Sequence, residues 1–310
     1  MNRPLRISCF AMLVVSGTAV ADCAVESGIR LQVLGSGGPE MTDGRASSGY
    51  LVWRGDKAVV MVDAGSGTAF NFEKSGADLA DLQAVLFTHF HVDHSVDFPS
   101  LIKASYFGDR IEDLKVLGPS GNSRMPGAIE YVANVLGKNG AYRYLSNYVT
   151  ADKTAPYKIQ VVDVPLKPRE ESHYQLESDI RLAAVPVEHG PLPAVAWRVE
   201  IGDCSISFSG DMNNSFGTLA KLAKDSDMLV ANNVIPQEAV GASRFLHMPP
   251  SEIGLIAARS KVKQLVLSHR MQRTLGREME TVAEIRKTYS GPLYFADDLD
   301  EYELGSNQEL

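Results

Sequence analysis

Short apolar runs separated by turn-rich stretches open the chain and later give way to helical spacing. Segments 29–34, 50–53 and 58–63 read as strands, with glycine, polar and charged residues in 35–44 and 54–57 between them. The segment 83–87 predicts a buried strand by its apolar run, and 115–118 another, while 98–106 and 128–136 carry the 3.6-residue period of helices. In the second half, 180–187, 194–201 and 205–209 predict an antiparallel group. Helices near 216–223, 250–259 and 278–289 then alternate with strands at 228–231, 264–267 and 293–295. Each half runs from antiparallel strands into α/β crossovers. That order predicts two sheets packed face to face with helices outside. No low-complexity tract, charge run or linker divides the chain beyond residue 28, so 22–310 reads as one domain.

Residues 1–21 read differently. Arg3 and Arg6 precede the apolar run 7–15, and small residues follow at 16–21, with Ala19 and Ala21 at the A-x-A spacing. This is the pattern of a secretory signal peptide cleaved after Ala21, and it predicts a periplasmic or secreted protein. The apolar run is too short to cross a bilayer, so no stable membrane insertion is expected. Export would remove Cys9 and leave Cys23 and Cys204 as an even pair in an oxidising compartment. A disulfide between them and two free thiols are both open on sequence alone.

Composition adds one exclusion. The chain has 310 residues, 45% hydrophobic and 22% charged, as expected for a globular protein. Its formal net charge of -8 grows more negative once Arg3 and Arg6 are lost. A general nucleic-acid binder needs a basic face to displace counterions. The acidity therefore predicts a small-molecule substrate and no nucleic-acid partner.

The strongest chemical signal follows the 83–87 strand: Thr88-His89-Phe90-His91-Val92-Asp93-His94. Imidazole and carboxylate are the donors that suit Zn²⁺ and similar divalent cations. Alternation at 89 and 91 places two rings on one side of an extended loop, and Asp93 and His94 open the helix that follows. His189, Asp211 and His269 each fall at the end of a predicted strand, where residues from different strands converge on one rim of a sheet. Tyr106 and Phe107 follow an apolar helical face. Helix packing is their simpler reading, and stacking on a substrate ring the alternative.

Asp63 in Val62-Asp63-Ala64-Gly65, the His89/His91/Asp93/His94 string, His189, Asp211 and His269, in this order, resemble the metallo-β-lactamase fold superfamily. The resemblance covers nearly all of the chain beyond residue 21. It implies a four-layer αββα sandwich with a site for two divalent metal ions, zinc foremost, with iron or manganese as alternatives. It further implies that His89, His91 and His189 hold one ion and Asp93, His94 and His269 the other. Asp211 would bridge them, and Asp63 would orient the ligand loop.

Within that superfamily, Leu34-Gly35-Ser36-Gly37-Gly38-Pro39, Phe245-Leu246-His247-Met248 and the terminal 296–304 segment resemble the ribonuclease Z-like branch. His247 would contact the scissile group or protonate the leaving oxygen, with a purely structural role on its loop as the alternative. Two departures stand out. The interval from His189 to Asp211 is too short for the long tRNA-gripping arm of several such enzymes. Asn232-Asn233 stands where the branch often has a His-Glu pair.

These residues predict metal-assisted hydrolysis, with hydroxide as nucleophile, Asp93 orienting it and Asp211 keeping the ions paired. Phosphodiesters fit best as substrates. Lactones and other carboxylic esters, sulfate esters and β-lactams are the alternatives, and a non-catalytic binding protein on the same fold is the rival class.

Overall fold

The computed structural model describes residues 23–24, 27–152, 154–177 and 179–305. The expected signal peptide lies outside the described residues. Strands β1 (Ile29–Gly35), β2 (Gly49–Arg54), β3 (Lys57–Ala64), β4 (Ala84–Leu86), β5 (Leu114–Pro119) and β6 (Ile159–Val164) come from the first half. From the second come β7 (Ser172–Gln175), β8 (Ile180–His189), β9 (Leu192–Ile201), β10 (Cys204–Phe208), β11 (Met228–Asn232), β12 (Gln264–Ser268), β13 (Leu293–Phe295) and β14 (Glu301–Glu303). They form two seven-stranded sheets, ordered β14-β1-β2-β3-β4-β5-β6 and β13-β12-β11-β10-β9-β8-β7. In each sheet antiparallel pairing changes to parallel once, at β3 in the first and at β10 in the second. Side chains that matter for the site leave the ends of these strands and their parallel neighbours.

Strand periodicity explains the layering. Alternate residues of β1–β4 such as Leu31, Val33, Val52, Val60, Val62 and Leu86 face Val195, Trp197, Val199, Ile206, Phe208 and Val230 of the other sheet in one buried cluster. The opposite set, including Leu51, Met61 and Val85, packs under Phe98, Leu101 and Ile102 of a helix outside the first sheet. A third cluster joins Leu229, Leu265 and Leu267 to Ile253 and Ile256 outside the second. Three interfaces make four layers, the αββα sandwich expected from the sequence.

The helices are α1 (Thr68–Ser75), α2 (Val92–Ser95), α3 (Phe98–Ala104), α4 (Ala128–Leu136), α5 (Leu219–Leu222), α6 (Ala242–Leu246), α7 (Pro250–Ser260) and α8 (Glu278–Ile285). The helix expected over 98–106 is α3 followed by a 3₁₀ turn at Ser105–Phe107. Among the described residues, no helix is long and apolar enough to cross a membrane. Of the two open cysteine readings, the disulfide is the one found. Cys23 is bonded to the first residue of β10, Cys204, across a sequence separation of 181.

Candidate metal centre

The histidine string lies directly beyond β4 on an irregular strand end. Trp197 Nε1–H donates to the Phe87 carbonyl across 2.9 Å, and the Val195 amide donates to the Thr88 carbonyl at 2.9 Å. These two bonds tie the string to the second sheet. His91 caps α2, so the chain turns at that residue and carries Asp93 and His94 to the inner side. Gly65 lets the backbones meet here, because a Cβ on it would fall 2.1 Å from the Asp93 carbonyl oxygen.

Asp63 holds the string from beneath. Its carboxylate accepts from the Thr88 amide (2.7 Å), the Thr88 hydroxyl (2.8 Å) and His94 Nδ1–H (2.8 Å). Asp63, next to the last residue of β3, and His269, directly after β12, adopt φ of 58° and 51°, backbone values that side-chain-bearing residues adopt at a cost. Strain of this kind is stored where a side chain has to point one way.

Hydrogen bonds behind the rings set their tautomers. His94 uses Nδ1–H on Asp63, and His189 uses Nδ1–H on the Leu246 carbonyl at 3.0 Å. The Thr88 hydroxyl, already donating to Asp63, leaves its lone pair for His89 Nδ1–H at 3.1 Å. In the neutral form of each ring Nε2 is thereby left as a bare lone pair facing inward.

Those lone pairs converge. His89 Nε2 lies 2.9 Å from His91 Nδ1, and His94 Nε2 lies 3.1 Å from His269 Nε2. His269 Nε2 is also 3.2 Å from Asp93 Oδ2. Asp211 Oδ2 sits between the two sets, 4.0 Å from His89 Nε2 and 3.8 Å from the Nε2 atoms of both His189 and His94. Its Oδ1 is 3.6 Å from His269 Nε2. One quartet, His89, His91, His189 and Asp211, and one trio, Asp93, His94 and His269, thus have ligand atoms within 4.8 Å of one another.

This donor set fits divalent cations. Buried lone pairs that face each other repel unless something positive lies between them, and His189 Nε2 has no hydrogen-bond partner at all. Nitrogen and carboxylate donors suit zinc, and an edge of a zinc tetrahedron with bonds of ~2.1 Å is ~3.4 Å, within the range seen here.

Charge divides the cluster. Burial, together with His94 and His189, drives the His89 pKa well down, and burial lowers His91 as well. Burial also opposes a second proton on His94, but Asp63, Asp93 and Asp211 outweigh it and raise that pKa to about 9, so without a cation Nε2 holds a proton that a metal ion has to displace to reach the lone pair. Asp93 is held at about 2, its burial outweighed by His94 and His269.

His247 caps the end of α6, with Nδ1 3.8 Å from Asp211 Oδ2. Burial lowers its pKa to about 4, so the ring is neutral at neutral pH. All eight residues singled out in the sequence meet here: His89, His91, Asp93, His94, His189, Asp211, His247 and His269. Sequence reasoning missed Asn232, whose Nδ2–H donates to Asp211 Oδ1 at 2.8 Å. The glycine-rich turn after β1 packs beneath His269, where a Cβ on Gly38 would reach within 2.7 Å of that ring. Asp298 fixes the turn by accepting from the Ser36 amide and hydroxyl and from the Ala46 amide.

Residues 42–246 match the sequence model of the metallo-beta-lactamase superfamily. The chain belongs to that superfamily. It is 27% identical over 288 residues to a ribonuclease Z of Mycobacterium bovis, covering 89% of this chain and 98% of the relative. The Bacillus subtilis metallo-beta-lactamase fold protein YhfI superposes with a TM-score of 0.67 at 20% identity, covering 89% and 98% of the two chains. Human tRNase Z, short form, gives 0.66 at 17% identity, covering 89% and 99%. This superfamily member, with ribonuclease Z homologues, is a metal-dependent hydrolase.

One expectation is overturned. Net acidity and a short His189–Asp211 interval predict no nucleic-acid partner, yet relatives that match across most of the chain, such as those of Mycobacterium bovis and Thermobifida fusca, are ribonucleases. Net charge is a sum over the whole surface, whereas a nucleic acid meets one face of a protein and its metal ions. Acidity therefore does not set this chain apart from nucleic-acid-processing proteins.

Proposed function

We propose that the protein hydrolyses phosphodiesters at a site for two divalent cations, zinc foremost, with RNA among the substrates to be tested. His89, His91 and His189 would hold one ion and Asp93, His94 and His269 the other, with Asp211 between them. Bound cations supply Lewis acidity to the phosphoryl oxygens and acidify water. The chain's own residues do the rest. Asp63 keeps the His94 lone pair aimed inward, Asn232 fixes the rotamer of Asp211, and Asp93 orients the attacking water. Neutral His247, at the edge of the cluster, offers a ring N–H to the leaving oxygen.

The observation carrying this reading is the convergence of six donor side chains, with the tautomers of His89, His94 and His189 set from behind, around one buried carboxylate, Asp211. The ribonuclease relatives favour phosphodiesters over carboxylic esters. Export belongs to the same proposal, supported by the signal-like pattern at 1–21 and by the Cys23–Cys204 disulfide, a bond that persists in oxidising compartments.

The test is a hydrolysis screen of the metal-loaded protein with chromogenic phosphodiester, lactone, sulfate and cephalosporin substrates and a labelled oligoribonucleotide. Turnover should be fastest on a phosphodiester and should collapse in His91→Ala. A lactone or cephalosporin hydrolysed far faster than any phosphodiester would overturn the assignment.

A further inference from the structure

The 3₁₀ turn after α3 contradicts the simpler reading of its aromatics. Tyr106 and Phe107 do not pack into the core: they are 64% and 78% exposed, and Tyr144 beside them is 63% exposed. Lys103 lies among the three, its Nζ 4.3 Å from the Tyr106 ring centre, 4.8 Å from Phe107 and 6.0 Å from Tyr144. Among the described residues no carboxylate pairs with Lys103, nor with Arg143, which stands between Tyr142 and Tyr144. A soluble protein gains nothing in stability by leaving three large rings in water around a lysine with no acidic partner.

This cluster is joined to the candidate metal centre. Val92, which opens the α2 helix that carries Asp93 and His94, and Val96, just past its end, are 70% and 43% exposed; after a two-residue turn α3 follows, with Lys103 in its last turn and Tyr106 and Phe107 directly beyond. The track begins beside His91 and Asp93. A single phosphodiester makes no use of rings set beyond the metal ligands, but a polymer that runs on past the site does.

Resting on the phosphodiesterase reading, we infer that this face docks a single-stranded nucleic-acid segment flanking the scissile phosphodiester, its bases stacked on Tyr106, Phe107 and Tyr144 and a phosphate met by Lys103. Rings accept any base face, and a cation set among them matches the alternation of base and phosphate along a strand. Val92 and Val96 carry no charge and let the strand pass.

The test uses the full chain. A fluorescein-labelled oligouridylate of about ten nucleotides is titrated by anisotropy into metal-chelated protein, so that binding is read without cleavage. In parallel, metal-loaded protein hydrolyses bis(p-nitrophenyl) phosphate. The double variant Tyr106→Ala/Phe107→Ala should bind the oligonucleotide about tenfold or more weakly while hydrolysing the small diester as the parent does. Lys103→Gln should flatten the dependence of log affinity on log salt by about 0.7, one phosphate contact on a single strand. The inference is overturned if the parent does not bind the oligonucleotide, or if both variants bind it as the parent does. It is equally overturned if the double variant loses a dimer, or loses binding to anionic vesicles, with oligonucleotide affinity unchanged. Absence of small-diester hydrolysis by the parent counts against the phosphodiesterase reading alone, because the binding arm still decides this one.

Discussion

Asn232 Nδ2 lies 2.8 Å from Asp211 Oδ1, a buried amide donating to a buried carboxylate at the centre of the site. A hydrogen bond to a charged group contributes roughly 1.5–3 kcal/mol. Here it also fixes which oxygen of Asp211 faces each set of histidines. Asn232→Ala should leave the fold intact and weaken metal binding about 10- to 100-fold, read by competition with a chelating dye. Asn232→Asp should do more, placing a second carboxylate against Asp211. Without metal its melting temperature should fall below that of the Ala variant, and divalent cation should restore part of the loss. Parent-like affinity in both variants would remove Asn232 from the account.

Asp63→Asn isolates the tautomer argument. Asparagine tolerates the φ of 58° at this position, so the backbone is not the variable. Its amide offers one acceptor where the carboxylate takes three donors. His94 then loses the partner that holds its proton on Nδ1. We expect one metal equivalent to be lost and the other kept, measured by elemental analysis after desalting. Two retained equivalents would contradict the role given to Asp63.

For His247 the expectation is a split between binding and turnover. Since the ring stands outside the seven donors grouped by distance, His247→Ala should keep its metal content while the rate on a phosphodiester drops about 10²-fold or more. A leaving group of low pKa needs less assistance, so the loss should shrink with activated esters. An equal loss on all leaving groups would assign His247 a structural role.

The disulfide should matter for stability and not for chemistry. It closes a sequence separation of 181 at the start of β10, while Asp211 follows the far end of that strand. Cys23→Ser/Cys204→Ser should lower unfolding free energy by about 2–5 kcal/mol, read from denaturant curves, with the rate per folded molecule unchanged. A loss of activity without a loss of stability would contradict that separation.

The metal ligands were legible in sequence because they lie in a compact string, His89 to His94, or directly beyond apolar strands, as His189, Asp211 and His269 do. Strands with a full apolar run were legible for the same reason, and α4 and β13 fall on their expected bounds. Other elements had no local signal. The three residues of β14 exist as a strand only because β1, far away in sequence, offers an edge. The β7 segment Ser172–Gln175 is polar and half-exposed. In α1 only Thr68, Asn71 and Phe72 are buried, too few apolar positions to mark a helical face. Asn232 looked like a departure because its partner is set by the neighbouring parallel strand. Tyr106 and Phe107 showed the limit of periodicity, since the helical pattern over 98–106 runs on past Ala104, where α3 ends, and past Ser105, the last buried residue before these two rings.

The most direct measurement is metal content and phosphodiester hydrolysis on one preparation, before chelation, after it and after readdition of zinc. The account predicts about two ions per chain, activity lost with them, and activity restored in proportion to the metal returned. Protein that carries no metal and hydrolyses the substrate at an undiminished rate after chelation would contradict it.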